Sequence, residues 1–343
     1  MQQITFPSGT VSYYFNSAVQ QLPEYCNMQQ VVFVTDSHVA ALYPQVFAGH
    51  KTLVLPPGEH SKSMDTITRL CRQLLQMEAN RSTLLVGVGG GVVTDITGFL
   101  ASVYMRGVQC GFVPTTLLAM VDAAIGGKNG VDLDLYKNTI GTISQPSFIL
   151  YDTQFLQTLP QTEWSNGFAE IIKYACIFDA SLFRELSAND LAHYMQQPLL
   201  LQAVINTCVS WKNNTVIADE LETGQRKLLN FGHTAGHAIE TLYALPHGAA
   251  VSIGMLIAAQ LSVAESGLAP EAVSQLQQTL ERYLLPVSQH IDCSKVMELL
   301  RADKKRKNDT IAFILLKSIG HGLIQPLTFP VIEQAISAYE SKN

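Results

Sequence analysis

The sequence predicts an α/β domain built on a Rossmann-like parallel sheet of non-standard order, followed by a mostly α-helical domain. Three observations predict this fold class. Short β-branched runs alternate with helical patterns in the first half of the chain, and long helical patterns dominate the second half. The 343 residues also exceed the roughly 250–300 over which a single core usually grows. We therefore expect two domains, spanning residues 1–160 and 161–343.

The predicted strands of the first half are short, apolar and rich in β-branched residues. They lie at 31–35, 52–55, 83–88 and 147–151. Apolar residues recur at helical spacing in 64–77 and 92–104, which predicts a helix in each of these intervals. Strands that alternate with helices in this way are typical of βαβ units, so we expect the sheet to be parallel.

After Pro160 the periodicity changes to long helices. Apolar residues recur at helical spacing in 163–177, 197–214, 226–243, 249–265 and 270–283, with one extended segment at 311–316. The apolar, uncharged stretch 249–264 is shorter than the roughly 18–20 residues that span a bilayer, which indicates a buried helix and no membrane partner.

Charge and composition exclude several functional classes. The formal net charge is −6, which argues against nucleic acid as a partner. Residues 1–7 lack the charged and apolar regions of a targeting segment, and six scattered cysteines without a C-x-x-C pair are typical of reduced thiols. We expect a cytoplasmic protein.

A glycine-rich segment, Gly87 to Asp95, lies between a predicted strand and a predicted helix. Glycines there let a backbone approach a phosphate, and the helix N-terminus attracts its charge. A tight turn required only for packing explains the glycines equally well. The segment departs from G-x-G-x-x-G because Val92 takes the third glycine position, and Asp36, placed as a ribose-binding acid, precedes the turn instead of following it.

Several cations lie in loops or at predicted strand ends. Gly126-Gly127-Lys128 forms a possible anion clamp, and Lys137-Asn138 follows it. Arg106, Lys212 and the run 303–307 add further positive charge. Together these cations indicate an anionic substrate, although a charged run such as 303–307 is more often a solvated face.

A polar stripe is predicted on the helix 226–243. Arg226, Asn230, His233 and His237 fall within roughly 60° of one another at helical spacing. His233 and His237, four residues apart, can present both imidazoles to one divalent metal ion. Spacing alone therefore places both histidines on a metal.

Two further candidates lie outside this stripe. Glu170 lies in an apolar helix, where a charge must be paired or bind a metal, and Lys173 shares its face. His247 precedes the apolar helix 249–265, where a turn can aim it at the stripe. Taken alone, His247 is better explained as a histidine of a helix-capping loop.

An ordered set of motifs resembles the 3-dehydroquinate synthases of the sugar-phosphate cyclase family. In chain order they are GEHSK (58–62), GGGVVTD (89–95), PTTLLA (114–119), VDAAIGGK (121–128), KN (137–138), AEIIK (169–173), RKLLNFGHTAGHAIE (226–240) and HG (247–248). The resemblance extends over about residues 30 to 320. It implies an NAD-binding α/β domain, a helical metal-binding domain and, in most members, a homodimer.

The resemblance also implies a reaction and a metal site. The reaction is the cyclisation of 3-deoxy-D-arabino-heptulosonate 7-phosphate to 3-dehydroquinate, with loss of phosphate, in the shikimate pathway. One zinc or cobalt ion would be held by Glu170, His233 and His247. His237 then becomes a substrate-contacting residue instead of a metal ligand.

The remaining site residues are implied position by position. Those implied for NAD are Asp36, Glu59, His60, Lys62, Gly90, Gly91, Val92, Asp95, Thr115, Thr116, Lys128, Lys137, Phe155 and Thr158. Those implied for the substrate are Asp122, Lys128, Asn138, Lys173, Lys212, Arg226, Asn230, His237 and one of Lys304 or Lys305, with Arg106 supplied by the partner subunit.

Departures from the family pattern keep other functions open. The family usually has serines at Ala123 and Ala124, threonine at Asn129 and glutamate at Ala249. A cyclase for another sugar phosphate, such as 2-deoxy-scyllo-inosose synthase or a sedoheptulose 7-phosphate cyclase, is the nearest alternative. Arg226, Asn230 and His237 favour a carboxylate-bearing substrate over it. A metal-dependent polyol dehydrogenase and a non-catalytic binding protein are the more distant alternatives.

Overall fold

The structure is a computed structural model that describes residues 1–133, 136–302, 306–307 and 309–340. The chain divides into two compact units. Unit 1 comprises Met1–Pro160 and Lys212–Leu221, and unit 2 comprises Gln161–Trp211 and Glu222–Asn343. The chain thus leaves unit 1 after Pro160, but 212–221 also belong to unit 1, which the expected ranges 1–160 and 161–343 did not include.

Unit 1 is organised around a seven-stranded sheet. Its strands are β1 (Gln2–Phe6), β2 (Gly9–Tyr14), β3 (Val31–Asp36), β4 (Thr52–Leu55), β5 (Leu84–Gly89), β6 (Gln109–Pro114) and β9 (Phe148–Leu150), in the order β1-β2-β9-β6-β5-β3-β4. A separate hairpin contains β7 (Lys128–Leu133) and β8 (Tyr136–Ile143). Only the β1–β2 pair of the large sheet is antiparallel. The predicted parallel α/β fold is confirmed.

Among the described residues, five α-helices belong wholly to unit 1. They are α1 (Leu22–Tyr25), α2 (Ser37–Leu42), α3 (Pro44–Phe47), α4 (Met64–Gln76) and α5 (Gly91–Val103). Helix α4 shows how the local sequence specifies an element: the Ser63 hydroxyl accepts from the Thr66 backbone N–H at its start. Ile67, Leu70 and Leu74 then recur at helical spacing and are buried.

Two hairpins of unit 1 were absent from the sequence prediction, and strand β6 was not among the predicted strands either. The first is the N-terminal hairpin β1–β2, which extends the sheet through the parallel pairing of β2 with β9. The second is the β7–β8 hairpin, which approaches α5 closely because Gly98 has no side chain. A Cβ at Gly98 would lie 1.9 Å from the Asn129 side-chain oxygen.

Unit 2 is mostly helical, as predicted. Its helices are α6 (Gln161–Phe178), α7 (Ala180–Ala188), α8 (Leu191–Gln196), the first part of α9 (Pro198–Ala218), α10 (His233–Tyr243), α11 (His247–Ser266), α12 (Pro270–Arg282), α13 (Cys293–Ala302) and α14 (Phe329–Glu340). The predicted extended segment belongs to an antiparallel sheet of β10 (Arg306–Lys307), β11 (Thr310–Ser318) and β12 (His321–Thr328).

The prediction of one continuous helix over 226–243 is wrong. Residues 225–230 form a 3₁₀ helix, and α10 begins only at His233. Gly232 interrupts the two with a φ of 79°. A Cβ there would lie 2.9 Å from the Val251 carbonyl oxygen, so the break is built into the packing against α11.

Helix α11 is the central helix of unit 2. Within the part of the chain that the structure describes, it is the one helix long and apolar enough to cross a membrane, and 72% of its most apolar window is buried. Gly254 lets α10 approach closely, since a Cβ there would lie 1.9 Å from the Gly232 carbonyl oxygen. Burial on this scale is what the core helix of a globular unit shows.

Candidate active site

The glycine-rich turn joins β5 to α5 at the carboxyl end of the sheet. Gly90 is the N-cap of α5, and among the described residues no side chain caps the helix there. The first N–H groups of a helix have no partner within it, so this 13-residue helix offers them to an anion. Packing explains Gly89 separately, because a Cβ would lie 2.5 Å from Val93. Both interpretations of the glycine cluster therefore have a basis in the structure.

Next to this turn lies a cluster centred on Lys62, which is only 5% exposed. Its ammonium group lies 2.7 Å from both the Asp95 carboxylate and the Asn138 side-chain carbonyl, and 3.6 Å from Glu59. Burial alone would lower the pKa of Lys62, but Asp95 and Glu59 outweigh it and hold that pKa above its ordinary value. Asn138 has a φ of 51°, a left-handed conformation that asparagine tolerates better than most residues.

Some residues expected at NAD already have structural partners. One Asp36 oxygen accepts from the backbone N–H groups of His38 and Val39 and so caps α2. The Thr158 hydroxyl lies 2.7 Å from the Tyr43 hydroxyl. Phe155 packs in the hydrophobic core of unit 1 and is 3% exposed, so its ring contacts core residues and has almost no exposed surface for a ligand.

The other residues expected at NAD lie along the carboxyl end of the sheet and on the hairpin. His60 follows β4, Gly91 and Val92 begin α5, Thr115 and Thr116 follow β6, and Lys128 and Lys137 lie on β7 and β8. Thr115 is buried, whereas Lys128 is exposed.

A second cation of unit 1, Lys212, is paired with Asp122. The two side chains lie 2.5 Å apart, and Lys212 is only 8% exposed. Asp122 lies on a π-helical turn, Ala119–Ala123, that follows β6. Arg106, expected to act in the partner subunit, is exposed at the end of the turn after α5. Its φ of 69° places it in the left-handed region.

The centre of the unit 2 cluster is Glu170. Helix α6 buries every residue from Trp164 to Ile177, and Glu170 is 0% exposed. The Lys173 ammonium group forms an ion pair with its Oε2, one turn along the helix. Burial alone would raise the pKa of Glu170, but Lys173 and His233 outweigh it and hold that pKa well below its ordinary range.

Two histidines approach the other oxygen of Glu170. His247 Nε2 lies 2.9 Å and His233 Nε2 lies 3.4 Å from Oε1. His233 Nδ1 lies 3.1 Å from the Phe231 carbonyl, which can only accept, so Nδ1 carries the proton and Nε2 presents a lone pair. These three residues offer ligand atoms within 4.8 Å of one another.

The two imidazoles differ in electrostatic environment. Burial lowers the pKa of His233, and Glu170 offsets this only in part. Burial would also lower the pKa of His247, but hydrogen bonds to Glu170 and Glu240 raise it to about 10. One buried carboxylate therefore faces one neutral and one protonated imidazole.

His237 and Glu240 lie on the far side of His247. With His247 they form a second group of potential ligands within 4.8 Å, and Glu240 Oε2 lies 3.6 Å from His247 Nδ1. Sequence analysis missed Glu240, although its position three residues after His237 on an amphipathic helix could have revealed it. Its carboxylate lies where it can orient the His247 ring. The family usually has a glutamate closer to His247 in sequence, at the position of Ala249.

The stripe predicted on one helix is divided between two elements. Arg226 and Asn230 lie on the 3₁₀ helix, whereas His233 and His237 lie on α10. Arg226 is 1% exposed, and the Asn230 amide donates to Glu222, a residue that sequence analysis also missed. Lys304 and Lys305 lie outside the described residues.

Two of the departures from the family pattern have visible packing consequences. The Asn129 amide donates to the carbonyls of Gly127 and Ser144 and so closes the base of the β7–β8 hairpin. Ala123 lies against the glycine turn, 3.2 Å from where a Cβ on Gly91 would be. Among the described residues, neither Ala123 nor Asn129 has a buried side-chain polar atom without a hydrogen-bond partner.

The donor set suits a divalent transition metal. Two imidazole nitrogens and one carboxylate oxygen are the ligands that catalytic zinc sites use, with further positions left for water or substrate. The carboxylate is buried, and the His233 tautomer presents Nε2 as a metal ligand would. Glu170, His233 and His247 therefore fit such an ion.

Two family models match adjacent parts of the chain, residues 52–166 and 167–306. The first is described as "3-dehydroquinate synthase N-terminal", and the second as "3-dehydroquinate synthase C-terminal". A curated 3-dehydroquinate synthase of Dichelobacter nodosus is 38% identical over 331 residues, which cover 93% of this chain and 90% of the relative.

Two solved structures share the fold over nearly their full length. A 2-deoxy-scyllo-inosose synthase complexed with carbaglucose-6-phosphate, NAD⁺ and Co²⁺ has a TM-score of 0.86 at 26% identity, and the match covers 98% of this chain and 99% of that one. A 2-epi-5-epi-valiolone synthase of Streptomyces hygroscopicus with NAD⁺ and Zn²⁺ bound has a TM-score of 0.87 at 26% identity, covering 100% and 99%.

Proposed function

The chain belongs to the 3-dehydroquinate synthase family, and we propose that the residues described above carry out the reaction of that family in the shikimate pathway. The enzyme is a carbon–oxygen lyase that acts on a phosphate ester and uses NAD and one divalent metal ion, zinc or cobalt. It converts 3-deoxy-D-arabino-heptulosonate 7-phosphate into 3-dehydroquinate and phosphate.

The observation that carries the assignment of the metal site is the buried Glu170 carboxylate between two imidazoles. Glu170, His233 and His247 would hold the ion, with Glu240 orienting His247 from the other side. When bound, NAD accepts and returns a hydride and the metal ion polarises the substrate hydroxyls.

NAD would be held by unit 1. The uncapped N-terminus of α5 and the glycines before it suit the pyrophosphate. Lys62, Asp95 and Glu59 would line the same end of the sheet, with the threonines after β6. Asp36 would reach the ribose only with the oxygen that does not cap α2.

The substrate would be held by several cations and amides. Lys128 and Lys212 of unit 1, with Arg106 of the partner subunit, would bind the phosphate and neutralise its charge as it leaves, and the Asn138 amide would donate a hydrogen bond to the substrate. Arg226, with its planar pair of donors, would bind the substrate carboxylate, and Asn230 and His237 would bind its hydroxyls. Two further residues would contact the substrate: Lys173, which forms an ion pair with Glu170, and Asp122, which forms one with Lys212. One of Lys304 or Lys305 would add a further cation.

Assembly and location follow as proposals from the same family membership. We expect a homodimer, because the role proposed for Arg106 requires a partner subunit. We place the enzyme in the cytoplasm, and we assign NAD binding to residues 1–160 and metal binding to residues 161–343.

A phosphate-release assay tests the function. The purified protein with NAD and zinc or cobalt should release phosphate from the heptulosonate phosphate, and a chelator should abolish this until metal is restored. Turnover of glucose 6-phosphate instead would indicate the 2-deoxy-scyllo-inosose synthase reaction. A net increase in absorbance at 340 nm with a simple polyol, caused by accumulation of NADH, would indicate a dehydrogenase. A folded protein that is inactive in all three assays would indicate a binding protein.

A further inference from the structure

The end of helix α9 is attached to unit 1 by the N-terminal hairpin. Residues 212–221 group with unit 1, whereas the preceding part of the same helix groups with unit 2. Two hydrogen-bonded contacts join the hairpin β1–β2 to this segment, one beside Lys212 and one just beyond the helix end.

The first contact is between Tyr13 and Asn213. The Tyr13 hydroxyl donates to Asn213 Oδ1 at 2.7 Å, and the two residues are 0% and 1% exposed. Tyr13 is itself held by stacking on Phe15 and Tyr151, with ring centroids 6.0 and 6.3 Å away. Because Asn213 directly follows Lys212, this contact restrains the backbone from which the Lys212 side chain extends.

The second contact is between the hairpin turn and Glu220. Ser8 donates to this carboxylate with its backbone N–H at 3.0 Å and with its hydroxyl at 2.5 Å. The Gln145 amide donates to the same carboxylate at 2.8 Å. Glu220 is 7% exposed and lies two residues after α9 ends at Ala218, so the turn anchors the segment at its far end.

We propose that the hairpin β1–β2 is a positioning element for Lys212, acting through Tyr13–Asn213 and Ser8–Glu220. The Lys212 ammonium group must meet both Asp122, 2.5 Å away, and the anionic substrate, so its position depends on where the helix backbone lies. A displacement of about 1 Å in a binding group can cost up to about a hundredfold in rate. The proposal rests on the substrate-binding role given to Lys212 under the proposed function.

The test is a double-mutant cycle between Tyr13 and Lys212. Tyr13→Phe keeps the ring and removes the hydroxyl, and we expect kcat/KM for the heptulosonate phosphate to fall about tenfold, mainly through KM. In the Lys212→Ala background the same change should have almost no effect. Affinity for NAD should stay the same in both backgrounds. An equal loss in both backgrounds would overturn the proposal.

A matched control separates positioning from general loss of stability. Tyr104 is a buried unit 1 tyrosine whose hydroxyl donates to the Ala79 carbonyl at 2.9 Å, and Tyr104→Phe should lower the melting temperature without changing KM. Ser8→Ala, at an exposed turn, should raise KM about threefold without threatening folding. A rise in KM for Tyr104→Phe equal to that for Tyr13→Phe would contradict the proposal.

Hydrogen exchange measured by mass spectrometry tests the attachment without any assay of activity. Tyr13→Phe and Ser8→Ala should speed exchange of the amides of 212–221, whereas Tyr104→Phe should not. Unchanged exchange in both hairpin variants would overturn the proposal even in an active enzyme. A wild-type protein that releases no phosphate would instead overturn the proposed function, and the exchange result would still decide whether the hairpin holds this segment.

Discussion

Each unit contains a cluster in which a buried lysine is paired with a carboxylate, but the charge at the centre of the cluster is positive in unit 1 and negative in unit 2. In unit 1 a cation, Lys62, is surrounded by oxygens of Asp95, Asn138 and Glu59. In unit 2 a carboxylate, Glu170, is surrounded by Lys173 and two histidines. The first arrangement raises the pKa of its central lysine, and the second lowers the pKa of its central carboxyl.

The difference decides which cluster suits a metal ion. Lys62 donates hydrogen bonds to Asp95 and Asn138 and forms an ion pair with Glu59 at 3.6 Å, so the unit 1 cluster pairs its own charges. Glu170 instead faces two imidazoles: His233 already presents a nitrogen lone pair, and His247 can present one after releasing its proton. The unit 1 cluster can thus fix a loop and a helix in place, whereas the unit 2 cluster can bind an ion.

The largest expected effect comes from removing the central charge of unit 2. Glu170→Gln leaves Lys173, which is 1% exposed, in a buried position without its carboxylate. The free energy of unfolding of the metal-free protein should fall by about 3–5 kcal/mol, measured by urea denaturation. The double variant Glu170→Gln/Lys173→Met should recover most of that stability but none of the metal binding. A loss below about 1 kcal/mol would show that this pair is not the buried ion pair described.

A smaller effect is expected for the corresponding change in unit 1. Asp95→Asn leaves Lys62 with Glu59 and the Asn138 carbonyl, so the free energy of unfolding should fall by about 1–3 kcal/mol. Metal affinity, measured by titration calorimetry, should stay the same. Weaker metal binding in Asp95→Asn would mean that the two clusters are coupled and that the unit 1 cluster also contributes to metal affinity.

The smallest expected effect is the change in metal affinity for each unit of pH. The pKa of His247 is raised to about 10, so the metal-free protein holds this proton at neutral pH and must release it to bind a metal ion. Affinity should therefore rise about tenfold per pH unit between pH 7 and 9 and should level off near the pKa. Calorimetry in two buffers of different ionisation enthalpy should detect release of one proton.

Glu240→Gln provides the control for this prediction. Because Glu240 helps to raise the pKa of His247, the variant should show a flatter pH dependence that levels off at lower pH. Above the pKa of His247, where the ring is deprotonated in both proteins, the variant should also bind metal about tenfold more weakly, because the His247 ring loses an orienting partner. A pH-independent affinity in the parent protein would contradict the assignment of His247 as a ligand.

Elements specified by their own sequence were predicted well. Strands β3, β4, β5 and β9 are apolar and β-branched, and α4 combines a serine cap with apolar residues at helical spacing. The burial of the apolar helix α11 and the pairing of Glu170 with Lys173 also followed from local pattern and charge. These features depend on neighbours within about one or two helical turns, or along one strand.

Tertiary structure alone decided the features that depend on distant residues. The break at Gly232 follows from packing against α11, and α10 therefore begins at His233. His247 meets Glu170 across 77 positions of sequence, and helical spacing, which favoured His237, could not find that contact. Only the resemblance to a family indicated it.

The sequence by itself thus determined the fold class and many of the local elements, and it predicted a metal site that includes His233. The contacts of each expected metal ligand depended on the tertiary structure, because folding brings together charged residues that are far apart in sequence. Tyr13 and Asn213 illustrate the same limit: their hydrogen bond joins residues 200 positions apart. Periodicity describes which face of an element is buried, whereas only the packed chain determines what that face meets.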